Sequence, residues 1–124
     1  MTKIPSDEEF AKAKARMREI DRNVQEANER ALQYFRQVCP VHSHNLYLIA
    51  EGDRRFRAYI FYKRNDDIQV YRNNGVSKKI EDFVYEELER QGRGKKGDIV
   101  VTFEFDSDEN VTASYEGNYF LRLR

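Results

Sequence analysis

The sequence predicts an α+β fold: a long N-terminal helix and an antiparallel five-stranded sheet with helices on one side, in the order α-β-β-β-α-β-β. Three observations carry that expectation. Apolar residues recur at steps of three and four from Phe10 to Val38, which is one face of a helix. Short segments rich in aromatic and β-branched residues follow, separated by Gly, Asn and Asp, and these read as strands. A second helical period lies between the strands, so an antiparallel sheet covered by helices is the natural packing. The 124 residues are the usual length of one domain, here 1–124, and such a chain can bury a core without disulfides.

The helix start is written in "SDEEF". Ser6 follows Pro5 as the cap, and Glu9, three residues on, completes a capping box with Asp7 and Glu8 at the positive end of the helix dipole. The apolar face runs through Phe10, Ala13, Met17, Ile20, Val24, Ala27, Ala31, Phe35 and Val38. Pro40 disfavours helix at the residue before it, so the helix ends near Cys39. The face suits packing on a sheet, with a coiled-coil seam as the other use of the same spacing.

A three-stranded meander is expected over residues 46–72. Leu46–Ala50 and Arg55–Arg64 flank the turn "EGDR", and "NDD" leads into Ile68–Arg72. In the second of these strands Phe56, Ala58, Ile60 and Tyr62 share one face, and Arg57, Tyr59, Phe61 and Lys63 the other. Ser77 then caps "KKIEDFVYEELERQ", whose Ile80, Phe83, Val84 and Leu88 form an apolar side. Gly92–Gly97 is a basic loop. It lacks the Gly-Lys-Ser/Thr ending and the strand-to-helix context of a phosphate-binding loop. The final pair, Asp98–Phe105 and Asn110–Tyr119, reads as two antiparallel strands joined by an acidic turn.

Charge is balanced overall, 22 basic against 22 acidic residues, which argues against a dedicated nucleic-acid binder. It is not balanced locally. Residues 40–97 hold 12 basic and 9 acidic residues, whereas residues 98–124 hold 2 and 6. The single cysteine, Cys39, permits no internal disulfide and fits a reducing compartment. No apolar run approaches the ~20 residues of a membrane helix and no signal core opens the chain, so a cytoplasmic location without membrane contact is expected.

Several chemistries are open to these residue types. Asp106, Asp108 and Asn110 have the opening spacing of a calcium loop, but Val111 and Gly117 stand where such a loop needs its sixth-position Gly and twelfth-position Glu. Cys39, His42 and His44 are zinc-ligand types without a recognisable fourth ligand, and as sequence neighbours they make poor triad geometry. No catalytic residue, metal or cofactor is therefore assigned. The Arg57, Tyr59, Phe61 and Lys63 face could stack and neutralise RNA, which gives a small RNA-associated or regulatory protein as one reading. The other is a protein interface at the C-terminal turn: Asp106, Asp108, Glu109 and Glu116 with Tyr115 and Tyr119, carboxylates that steer a basic partner around amphipathic aromatic anchors.

From "LYLIAEGDRRFRAYIFY" through "IEDFVYEELERQ" to "VVTFEFDSDENVTASYEGNY" the chain resembles the YezG-like bacterial toxin-immunity proteins, a group that includes immunity proteins of contact-dependent growth inhibition systems. The resemblance covers roughly residues 46–119. It implies an antitoxin that binds a cognate toxin domain without contacting nucleic acid itself; a monomer or weak homodimer is expected. Such toxins are often nucleases with basic clefts, which an acidic surface bearing aromatics could occupy.

Overall fold

The computed structural model describes residues 7–124, with the side chains of residues 13 and 16–23 outside the description. The elements are α1 (Asp7–Val38), β1 (Ser43–Ala50), β2 (Arg55–Tyr62), α2 (Asn65–Asn73), α3 (Val76–Arg90), β3 (Val100–Ser107), α4 (Asp108–Tyr115) and α5 (Tyr119–Arg122). The proposed capping box at Ser6 and the Ala13, Met17 and Ile20 part of the helix face lie outside the described residues. Of the remaining face, Phe10 is exposed, and Val24, Ala27, Ala31 and Phe35 are buried.

The expected five-stranded antiparallel sheet is corrected to a three-stranded mixed sheet of order β1-β2-β3. β1 and β2 form the predicted hairpin, with Leu46 opposite Ile60 and Leu48 opposite Ala58. β3 runs parallel to β2, with Phe56 beside Val101 and Ile60 beside Phe105. A parallel neighbour needs a crossover, and α2 and α3 supply it. Two segments read as strands are helices. Ile68–Arg72 lies inside α2, where Ile68 and Tyr71 turn inward at helical spacing and Val70 is left exposed. Asn110–Tyr119 is α4 followed by the start of α5. Ser107 caps α4 by accepting the Asn110 N–H at 3.0 Å, with Asp108 and Glu109 in the first turn. Hydrogen bonding from a cap side chain stabilises a helix that the apolar alternation Val111, Ala113, Tyr115 had suggested was a strand.

Helices cover both faces of the sheet rather than one. On the first face Ala27, Ala31 and Phe35 of α1 and Ile80, Val84 and Leu88 of α3 pack on Leu46, Leu48, Phe56, Ala58, Ile60 and Tyr62. Phe35 meets Tyr62 edge-on with centroids 5.3 Å apart, a favoured aromatic geometry. On the second face a smaller cluster joins Tyr59 and Phe61 to Val111, Tyr115, Tyr119 and Leu123. β2 is therefore central and buried on both sides over its second half, as expected of a strand in a parallel crossover unit. Gly75 joins α2 to α3 at φ +86°, a conformation that costs glycine little. Among the described residues no helix is long and apolar enough to cross a membrane.

Candidate functional site

The six residues singled out at the C-terminal turn do come together, but only part of the set faces outward. Asp106, next to the last residue of β3, is 8% exposed. Its carboxylate accepts the Arg122 Nε–H at 2.6 Å, the Asn110 Nδ2–H at 3.0 Å and the Ser107 N–H at 2.8 Å. Burial works against the charge on the Arg122 guanidinium, and the hydrogen bond to Asp106 overrides it, so its pKa stands above the ordinary arginine value. The Arg122 guanidinium also lies over the rings of Tyr59, Phe61 and Tyr115 at 5.5, 5.8 and 5.9 Å. Asp106 thus anchors α5 onto α4 and the sheet instead of meeting solvent.

A second tie lies beside it. Tyr119 donates its hydroxyl to Asp108 at 2.6 Å, packs edge-on against Phe61 at 4.9 Å and stacks on His44 at 5.6 Å. His44 Nε2 lies 3.4 Å from the same carboxylate of Asp108. Burial and then the bond to Asp108 push the Tyr119 phenol well above its usual range. Tyr115 is half-buried under Arg122. Glu109 is exposed, accepts the Asn65 N–H at 3.0 Å and donates its own N–H to the Lys63 carbonyl, which joins the start of α4 to the start of α2. Glu116 is exposed at φ +55°, where it ends α4 just before Gly117.

What the cap presents outward is therefore Glu109, Glu116 and part of Asp108, together with two residues that the sequence reading passed over. Phe120 is 75% exposed and Leu121 44%. They follow Tyr119 on α5, whose start is capped by Asn118 accepting the Leu121 N–H at 3.1 Å. The signal lay in "NYFLRL": Tyr119 and Leu123, four apart, take the inner side of a helical turn, which leaves Phe120 and Leu121 outside.

The other candidates are placed as follows. Tyr59 and Phe61 of the basic-aromatic face are buried beneath the cap, and Arg57 is held by Glu51 at 2.9 Å and Glu104 at 2.7 Å. Lys63 remains exposed at the end of the strand. The uncovered half of that face is a cleft of about 440 Å³ lined by Ile49, Glu51, Arg57, Tyr59, Glu104 and the 122–124 segment, where acids and bases pair with one another. Cys39 is buried, and burial raises its thiol pKa. His42 faces Asp67 at 3.2 Å, and Asp67 in turn accepts the Arg64 N–H at the start of α2. The two histidines are thus drawn to different carboxylates. Among the described residues no group of three or more histidine, cysteine, aspartate and glutamate side chains is placed to hold a metal ion. No family model, curated protein or solved structure matches the chain.

Proposed function

We propose that this chain is an immunity protein that acts in the cytoplasm by binding a cognate toxin domain, a basic nuclease, through its C-terminal cap. The observation that carries the reading is the exposure of Phe120 and Leu121 on a cap that also presents Glu109, Glu116 and the half-exposed Asp108. An exposed aromatic makes a large contact at low entropic cost, and surrounding carboxylates speed encounter with a basic surface. The resemblance noted in the sequence supplies the class of partner. The cap is tied to the sheet by Arg122–Asp106 and by Tyr119 packed on Phe61, and α5 to α4 by Tyr119–Asp108, so its contact residues are held in place before binding, which lowers the cost of association.

The test begins at the locus, where a toxin reading frame immediately upstream is expected, and continues by co-expression with that toxin domain, read as growth protection and as co-purification of the two chains. Protection is expected, with Phe120→Ala weakening capture about 10-fold or more and Glu109→Lys with Glu116→Lys slowing association. Absence of protection together with absence of capture by the folded wild-type protein would overturn the proposal. Protection insensitive to all three substitutions would move the interface away from the cap.

A further inference from the structure

The two edges of the sheet are treated differently. Along β1 the residues that pair inward with β2 alternate with Leu46 and Leu48, whose N–H groups point away from the sheet. The two outward donors in the middle of the strand are taken: Asn28 Oδ1 from α1 accepts the Leu48 N–H, and Asn45 Oδ1 accepts the Leu46 N–H at 2.9 Å. The middle of that edge is closed. Along β3 the ladder to β2 begins with Val100 N–H on the Arg54 carbonyl at 2.8 Å. Alternation then assigns Val100, Thr102, Glu104 and Asp106 to β2 and turns the N–H and C=O of Val101, Phe103 and Phe105 outward. No backbone or side-chain group among the described residues pairs with them. The strand carries no Pro, no Lys and no bulge, and its two charges, Glu104 and Asp106, are paired within the same chain to Arg57 and Arg122.

We propose that this edge pairs antiparallel with the same edge of a second copy of the chain, about a two-fold axis at Phe103. A second copy presents the same unpaired groups, and register sets the alignment. Centred on Phe103, each outward residue meets another outward residue: Phe103 meets Phe103, and Val101 meets Phe105. On the opposite face Thr102 stands across from Glu104 of the second copy. Centring on Glu104 would crowd two Glu104 side chains that Arg57 already holds at 2.7 Å, and would use the N–H of Ser107, already given to Asp106 at 2.8 Å. Centring on Thr102 would place Phe105 against Ile99, before the start of the strand. The Phe103 register makes one sheet of order β1-β2-β3-β3-β2-β1 and covers the half-buried Phe103 and Phe105. It leaves the α4–α5 cap uncommitted, so it stands apart from toxin binding.

The experiment is sedimentation velocity of the whole protein from micromolar to millimolar concentration, with hydrogen exchange at both ends of that range. A reversible dimer is expected, with the Val101, Phe103 and Phe105 amides gaining protection as it forms. Val101→Pro removes an outward donor without touching the β2 ladder and should abolish the dimer. Should that variant fail to fold, Thr102→Lys at an exposed position decides: two new pairs with Glu104 should tighten the dimer about 2- to 30-fold. A monomer at all concentrations overturns the proposal. So does a dimer in which those three amides stay unprotected, or one that Thr102→Lys leaves unchanged.

Discussion

Replacing Arg122 by Met removes the charge that faces the buried Asp106 while keeping an apolar stem over Tyr59, Phe61 and Tyr115. Asp106 would keep its bonds from Asn110 Nδ2 and the Ser107 N–H but lose the 2.6 Å bond from Arg122. Breaking a buried pair from one side costs about 3–5 kcal/mol. The surviving bonds from the Asn110 amide and the Ser107 N–H still serve the charged carboxylate, and the two side chains are 15% and 12% exposed, so these bonds and water together offset about 1 kcal/mol of that loss. The expected loss is therefore about 2–4 kcal/mol, a large share of the roughly 5–15 kcal/mol that holds an ordinary domain together. Asp106→Asn in the same background removes the stranded charge, and the double variant should recover about 1 kcal/mol or more relative to the sum of the singles. Urea unfolding of the four proteins, followed by circular dichroism, measures all the terms. At a slope of about 1–3 kcal/mol/M, the single Arg122 change should lower the midpoint by about 1 M or more. A loss below about 0.5 kcal/mol, or singles that add within about 0.5 kcal/mol, would refute the clamp.

Tyr119→Phe removes only the hydroxyl bond to Asp108, whose side chain is 38% exposed and can take water instead; the expected cost is about 0.5–1.5 kcal/mol in the same urea assay. Phe35→Ala empties a fully buried site between α1 and Tyr62 and should cost about 3–5 kcal/mol, read as a fall in melting temperature with the cooperative transition retained. Burial pushes the Tyr62 phenol up, as it does Tyr119 and also Tyr71, which reaches about 12. A phenol whose folded pKa is raised contributes stability that is whole below its unfolded value near 10 and is lost as pH climbs through the folded value. Stability should therefore fall above about pH 10, by about 1.4 kcal/mol per pH unit for Tyr62 alone. Tyrosinate absorbance should rise together with loss of helical signal, and full titration near pH 10 with the fold intact would contradict this.

How much of the fold was legible depended on whether a local pattern had one or two readings. The β1–β2 hairpin was readable because "EGDR" separates two β-rich runs, and α3 because Ile80, Val84 and Leu88 keep helical spacing over a full element. "IQVYR" and "NVTASY" are short, and an apolar run of that length fits a strand or a helix equally. What decided them lies at their starts. Asp67 accepts the Arg64 N–H and Ser107 caps Asn110, so each segment opens as a helix. The "SDEN" run carries that capping signal in plain view, but its alternating acids suggested a turn. Treating the last segment as a strand also put Asp106 at a solvated tip, when it is the buried partner of Arg122, sixteen residues on.

The sequence alone determined the chemistry available: one cysteine, two histidines, balanced charge and an acidic C-terminal stretch. It also determined the β1–β2 hairpin and the apolar faces of the elements that could be read only one way. Only the tertiary structure decided that β3 lies parallel to β2, that helices cover both faces, and which carboxylates remain available to a partner. The physical reason is that a periodic pattern says which side of an element must be buried, but not against what. The covering partner is chosen by long-range contacts such as Arg122 on Asp106 and Tyr119 on Phe61, and these also leave Phe120 exposed and the outer edge of β3 unpaired.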